Sequence, residues 1–303
     1  GAGYGLLFWL GVLKPLGLLP ANTLFGATAA IIALALIAAG LCSSLLHLGR
    51  PERAWRALSQ WRSSWLSREG VAAVLTFLPA IIFLIALAHG ETSLMLPAGL
   101  LSAVGAAVTV YCTGMIYASL KPVKEWHHPM VAPGYLLFAS FSGAALLAML
   151  SGFWGGGFFP ALIAAALGMA ALFFKRAYWA SVDATPAIST RESATGLGFI
   201  GTVRPLESPH TESNYLLREM AFRVARVHAA KLRSIALLLG FALPALFFCL
   251  AIILGGGLAI ALGVLAALIQ ARRLSHALVP YFLLAWLTGE LAFIHLAWQV
   301  ALT

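Results

Sequence analysis

Charge is what this chain has least of. Only 10% of its 303 residues are Asp, Glu, Lys or Arg, where soluble domains carry about 25%. The acidic side is thinnest, with ten Asp and Glu against 19 Lys and Arg and a formal charge of +9. With 61% hydrophobic residues and a mean hydropathy of +0.94, the chain cannot present the solvated surface of a soluble enzyme. A nucleic-acid partner is excluded as well, because that reading needs a basic face on a soluble fold. A basic excess in an apolar chain belongs to loops beside anionic lipid headgroups. Cysteine is also scarce: Cys42, Cys112 and Cys249 lie far apart, each inside an apolar run, with no CxxC. That argues against thiolate sets for zinc or iron–sulfur clusters in this chain and leaves the three as packing residues. The opening GAGYGLLFWLG has neither a basic n-region nor a small-residue cleavage site, so no cleavable signal is expected, although a few residues are expected to precede it.

What fills the chain is apolar runs of spanning length, about 20 residues each. They fall near 1–19, 22–46, 71–89, 94–118, 133–152, 157–175, 234–254 and 278–302, with a shorter apolar piece at 256–271. The expected fold is all-α: one polytopic membrane helix bundle over 1–303, of eight helices, or nine if 256–271 crosses. The loops alternate in character. Those after the first, third and fifth runs are short, rich in Gly and Pro, and nearly uncharged. Those after the second, fourth and sixth hold 16 of the 19 Lys and Arg: five in 47–70, two in 119–132, nine in the segment from Lys175 to Arg233. The positive-inside rule therefore places these loops and the N-terminus in the cytoplasm, with the chain in a bacterial inner membrane.

The stretch 177–233 is the one long polar piece, read as a cytoplasmic loop. Its first half is rich in Thr, Ser, Gly and Pro. Its second half places Leu216, Met220, Val224 and Val227 at helical spacing, with Arg218, Arg223 and Arg226 on other faces. An amphipathic helix on the inner leaflet and a docking surface for a partner both fit, and the two are compatible. A polar loop of this length needs something to cover it.

The densest chemistry sits in HLGRPERAWRALSQWRSSWLSREG, residues 47–70. Polar groups at the edge of an apolar run are functional candidates by default. His47 ends the second run and Glu69 begins the third, so both lie near one membrane boundary. A quinone reacting there exchanges two protons with two electrons, and needs donors to its carbonyls and a group that titrates. A neutral His can serve both needs, a carboxylate can relay protons, and Arg68 could keep Glu69 ionised. Trp65 could wall an apolar slot, as could Trp55 and Trp61. Structural readings stand beside these. Interfacial Trp residues are commonly anchors, arginines pair with lipid phosphate, His47 can complement a helix C-terminus, and Glu69 can cap the next helix behind Ser67. A second constellation, TVYCTGMIYASLKPVKEWHHPMVAP, brings Tyr111, Tyr117, Lys121, Lys124, Glu125, Trp126, His127 and His128 to the same side. Tyr117 could assist a quinone oxygen or be a satisfied buried tyrosine. Adjacent His127 and His128 do not share a helix face, which favours a partner contact over a metal. Glu290, with His295 beyond it, sits in the last run, as a proton-path residue or a neutral hydrogen-bonding acid. No two histidines match in depth across helices, so no haem is expected.

HLGxP closing one helix and LSxE opening the next resemble the anchor subunits of dimethyl-sulfoxide-reductase-type molybdenum enzymes (DmsC-like). YASLKPVKEWHHPM is similar to that family's Tyr-x-Ser plus Val-x-x-Trp segment, and TGEL echoes its Gly-Glu-Leu. The resemblance implies a quinone-linked anchor without haem, on which a molybdopterin catalytic subunit and a four-cluster iron–sulfur subunit dock. It puts the quinone-site histidine on His47 and the acidic residue on Glu69. Two departures, the longer 177–233 and SREG for Ser-Asn-Glu, resemble the branch found with cytoplasmic sulfite dehydrogenases.

The resulting expectation is an electron-transfer anchor. Electrons from sulfite oxidation pass through partner iron–sulfur clusters to ubiquinone or menaquinone at His47, Glu69, Arg68, Trp65 and Tyr117. Arg50, Arg53, Arg56, Lys121, His127, His128 and Arg218 face the partners. The alternatives are a quinol-oxidising reductase anchor, a purely structural anchor, and, in a different class, a transporter with Glu290 and Tyr111 on a midplane path. Lack of internal repeats and of matched broken helices weighs against the last.

Overall fold

The computed structural model describes residues 1–46, 51–121, 123–154, 156, 158–185, 189–204, 206, 227–244, 246 and 249. Among them the protein is all-helical, with no strand. Its helices are α1 (Ala2–Leu13), α2 (Thr23–Leu46), α3 (Trp65–His89), α4 (Thr92–Ala118), α5 (Val131–Phe153), α6 (Phe158–Ala184), α7 (Arg191–Thr195) and α8 (Ala229–Leu237). A 3-10 segment, Pro51–Gln60, precedes α3, and a π-helical turn, Leu238–Ala242, follows α8. Five of the described helices, α2 to α6, are long and apolar enough to cross a membrane. The runs 256–271 and 278–302, with Glu290 and His295, and His276 between them, lie outside the described residues, as does part of the run 234–254. The described residues thus hold five of the expected eight or nine spans, together with the short α1.

Helix α1 is the hub. Leu6, Leu7 and Leu10 are wholly buried, and the helix packs against α2, α4 and α5. Close approach comes from glycine. A Cβ on Gly5 would run into the Ala139 backbone and one on Gly143 into Gly5, while a Cβ on Gly99 would lie 2.6 Å from the Gly11 carbonyl. In a bilayer, such backbone contact replaces the hydrophobic drive that lipid removes. Trp9 Nε1 adds a bond to the Ser140 carbonyl of α5 at 3.0 Å. The rest of the interior is largely small residues (Ala80, Ala103, Ala106, Ala144, Ala164), while Leu75, Leu78, Leu101 and Phe173 are exposed by more than 60%. Large apolar side chains outward and small ones inward suit a bundle solvated by lipid.

The apolar run 1–19 is not helical throughout: α1 ends at Leu13. Pro15 has no N–H with which to extend the ladder, and Gly17 turns the chain at φ 71°. Lys14, buried here, donates its ammonium to the Pro20 carbonyl and more weakly to that of Asn22. Helix α6, in contrast, outlasts its apolar run and reaches Ala184, so the polar segment begins about eight residues later than 177. Its lower part receives α8 through a paired Arg233–Asp183 bridge (2.5 and 3.0 Å) and Trp179 against Ala236. Most of the expected amphipathic helix, with Arg218, lies outside the described residues.

Candidate functional site

The site is built where the basic loops meet the ends of α1, α3, α4 and α5. His47 and Arg50 lie outside the described residues, between the end of α2 and the 3-10 segment. Along that segment and the following turn, each tryptophan carries an arginine. Arg56 lies over Trp55 at 5.5 Å, Arg62 over Trp61 at 5.7 Å and Arg68 over Trp65 at 4.3 Å. Arg53, Trp55, Arg56 and Trp61 are exposed, as expected of residues at headgroup level.

Ser64, not Glu69, caps α3: its side chain accepts from Ser67 N–H at 3.4 Å. Glu69 therefore comes a turn later, free of capping duty. Its Oε1 accepts from Thr113 Oγ1 of α4 at 2.6 Å. Arg68, its neighbour in sequence, does something else. Its guanidinium donates to the carbonyls of Trp61 (3.0 Å) and Arg62 (2.7 Å), fastening the loop onto the helix start.

Around Glu69 the bundle interior is polar and aromatic. Tyr4 of α1, Cys112 of α4 and Tyr135 of α5 all lie within its electrostatic reach. The Tyr4 hydroxyl is buried and lies beside Thr109 of α4. Thr76 and Thr109 join α3 to α4 beneath, 3.4 Å apart. Tyr117 stacks on Tyr135 at 5.5 Å and takes the Trp126 edge at 5.2 Å. Trp65 sits edge-on to Tyr111 at 6.1 Å. Glu69 and Thr113 are thus bonded, with Tyr4 and Tyr135 in electrostatic reach and Tyr117 stacked on Tyr135. Trp65 opens α3 against Tyr111, and Arg68, in the first turn of α3, holds the loop.

The loop 119–130 is stitched to α6 rather than standing free. Tyr178 donates to the Glu125 carbonyl at 2.6 Å and Lys124 to the Thr185 carbonyl at 2.5 Å. His128 Nδ1 accepts from Met130 N–H at 3.2 Å, so a neutral ring carries its hydrogen on Nε2 and donates to Ser181 Oγ at 3.0 Å. Burial pushes the His128 ring below its ordinary value. His127 and Lys121 are exposed, with His127 Nδ1 on the Ala118 carbonyl at 2.7 Å. No group of three or more His, Cys, Asp and Glu among the described residues is gathered as a metal site would need.

Three residues at the site escaped the sequence reading: Tyr4, Thr113 and Tyr135. Tyr4 carried a usable signal, a lone polar side chain in an apolar run. Thr113 carried less, since threonine bonds its own helix readily.

The sequence pattern of the DMSO reductase anchor subunit (DmsC) matches residues 25–291. This chain belongs to that family. The match takes in Glu69, Thr113 and the arginine-rich loop, while Tyr4 and the rest of α1 precede it. The anchor is also 31% identical, over 247 residues, to a sulfite dehydrogenase subunit from Allochromatium vinosum, covering 76% of this chain and 75% of that protein. No solved structure matches it. As a family member with long apolar helices, it is a membrane protein that anchors catalytic and electron-transfer subunits.

Proposed function

We propose that this anchor passes electrons to a membrane quinone at the basic end of its bundle, beside His47 and Glu69. The carrying observation is the Glu69 carboxyl. It is half-buried, bonded by Thr113 at 2.6 Å and within electrostatic reach of Tyr4 and of Tyr135, on which Tyr117 stacks. Intramembrane carboxyls at such positions serve proton relays. Full reduction of a quinone consumes two electrons and two protons. The electrons would come from iron–sulfur clusters of a partner subunit, and the protons from water through Glu69 and His47. The buried Tyr4 hydroxyl beside Thr109 supports the fit, as a further donor for a quinone carbonyl or an ordered water. Tyr117 and Tyr135 offer apolar ring faces.

The donor is sulfite in this reading. It rests on the likeness to the sulfite dehydrogenase subunit and on the basic loops, which put the docking side in the cytoplasm under the positive-inside rule. A molybdopterin subunit would oxidise sulfite and an iron–sulfur subunit would sit between it and the anchor, against Arg53, Arg56, Lys121 and His127. The family name favours a second reading, in which quinol oxidation drives a reductase. Purified complex assayed with sulfite and with dimethyl sulfoxide decides the direction.

In that complex, His47→Ala and Glu69→Gln each lose quinone-dependent turnover by at least about 100-fold, as removal of an acid–base group does. Turnover with artificial dyes, which draw electrons from the partners, continues. Unchanged quinone kinetics in both variants would remove the site.

A further inference from the structure

Thr113 Oγ1 lies 2.6 Å from Glu69 Oε1 and also 3.0 Å from the Thr109 carbonyl, one turn back on its own helix. A threonine hydroxyl has one hydrogen and two lone pairs, so it cannot donate to both oxygens at once. Two arrangements resolve the conflict. With Glu69 ionised, the threonine hydrogen points at the carboxylate. With Glu69 protonated, the acid donates to Thr113 Oγ1 and the threonine hydrogen turns to the Thr109 carbonyl. No heavy atom has to move between them. The states differ by one proton on Glu69, taken from or returned to water at the basic end.

We infer that Thr113 is a positioning residue that holds the Glu69 carboxyl in place in both of its protonation states, so that it can take up and release a proton. This rests on the quinone-site reading and deepens it. A fixed cationic donor at this position would serve only the carboxylate, and an apolar neighbour would serve only the acid. The other interior hydroxyls do not share the arrangement: Thr76, Ser102 and Thr109 bond back to their own helices at 2.7, 2.6 and 2.8 Å. None of them reaches a carboxylate among the described residues. The titratable groups within electrostatic reach of Glu69 from packed elements are Tyr4 of α1, Cys112 of α4 and Tyr135 of α5. Arg68 is engaged with the Trp61 and Arg62 carbonyls. Thr113 is the group that can meet either state by rotating one hydrogen.

The test uses the assembled complex in membranes, with a short-chain quinone, and compares Thr113→Val, Thr113→Ser and Glu69→Gln. Copurification of the partners in equal amounts establishes assembly. Thr113→Val loses about tenfold in quinone-linked turnover, the worth of one charge-assisted hydrogen bond. Its pH profile moves to higher pH, because the carboxylate loses a charge-assisted bond and the acid only a weaker neutral one. Thr113→Ser restores both. A Thr113→Val complex with the parent rate and profile, where Glu69→Gln has lost turnover, overturns the inference and leaves the quinone site standing. If Glu69→Gln retains turnover, Glu69 has no part in the quinone chemistry, and infrared difference spectra on a pH step judge Thr113 separately. The protonated-carboxyl band absent in Glu69→Gln must then shift in Thr113→Val and not in Thr113→Ser. An unshifted band overturns the inference, which covers a valine variant too poorly assembled for kinetics if detergent-solubilised anchor is used.

Discussion

His128 ties the loop 119–130 to α6 as a neutral ring, accepting from Met130 N–H on one nitrogen and meeting Ser181 with the other. Burial lowers its proton affinity, so its folded value lies below the unfolded one, near 6.5. The unfolded loop then binds more protons in the window beneath that value, and the tie is at full strength above it and weakens as the pH falls through it. Amide exchange across 119–130, corrected for intrinsic rates, should speed up by about threefold between about pH 7.5 and about pH 5.5. His128→Asn should abolish the pH dependence. The contrast between Arg68 and Glu69 belongs at the same scale. Both were legible in the sequence as charges at a helix start, but their roles were not. Consecutive helical residues face directions about 100° apart, so a charge next in sequence is not next in space. Arg68 turned to the loop and Glu69 to Thr113, a residue 44 positions away. Nothing in the spacing of threonines says which one will meet a carboxyl.

Among the elements, α1 has the least tolerance. Its backbone touches α5 through Gly5 and Gly143, and α4 through Gly11 and Gly99. Side chains there have no room to relax, because the obstacle is backbone. Gly143→Val should cut the amount of folded anchor in membranes by at least about tenfold, the overpacking cost being ~1–3 kcal/mol or more. Gly40→Ala in α2, with nothing within 4 Å of the added carbon, should leave the amount unchanged or raise it. Anchor levels in membrane fractions separate the two. The long helices α2 to α6 were readable to within a few residues, except that α3 starts at Trp65 and α6 runs to Ala184. The terminus of α1 was not, because hydropathy continues through Leu16, Leu18 and Leu19 while Pro15 and Gly17 end the helix. Its central place was equally hidden: periodicity shows that a face is apolar and not which helix covers it.

For the whole molecule, the described loops and caps separate two unlike ends. One carries Lys14 folded over its own loop and the Gly90 turn, at φ 70°. The other carries the Trp–Arg pairs, the Glu69 site and the stitched loop 119–130. The charge pattern predicted that division, since counting Lys and Arg per loop needs no tertiary knowledge. If the basic end is cytoplasmic, protease added to inside-out vesicles stripped of partners should cut between residues 185 and 228. Right-side-out vesicles should be protected. Cleavage in the reverse pattern would invert the orientation and move the catalytic partners to the other compartment.

The position of α1 also bears on the order in which the protein can be completed. It is synthesised before the other described helices, yet α5, one of the helices its glycines need, ends about 140 residues later. At elongation rates of about 5–20 residues per second that is roughly 7–30 s. Through that interval α1 would wait in the membrane with its narrow faces against lipid or a transient companion. Its docking then closes the bundle and brings Tyr4 to Glu69. A stalled or truncated chain lacking α5 would be inserted and still have no site.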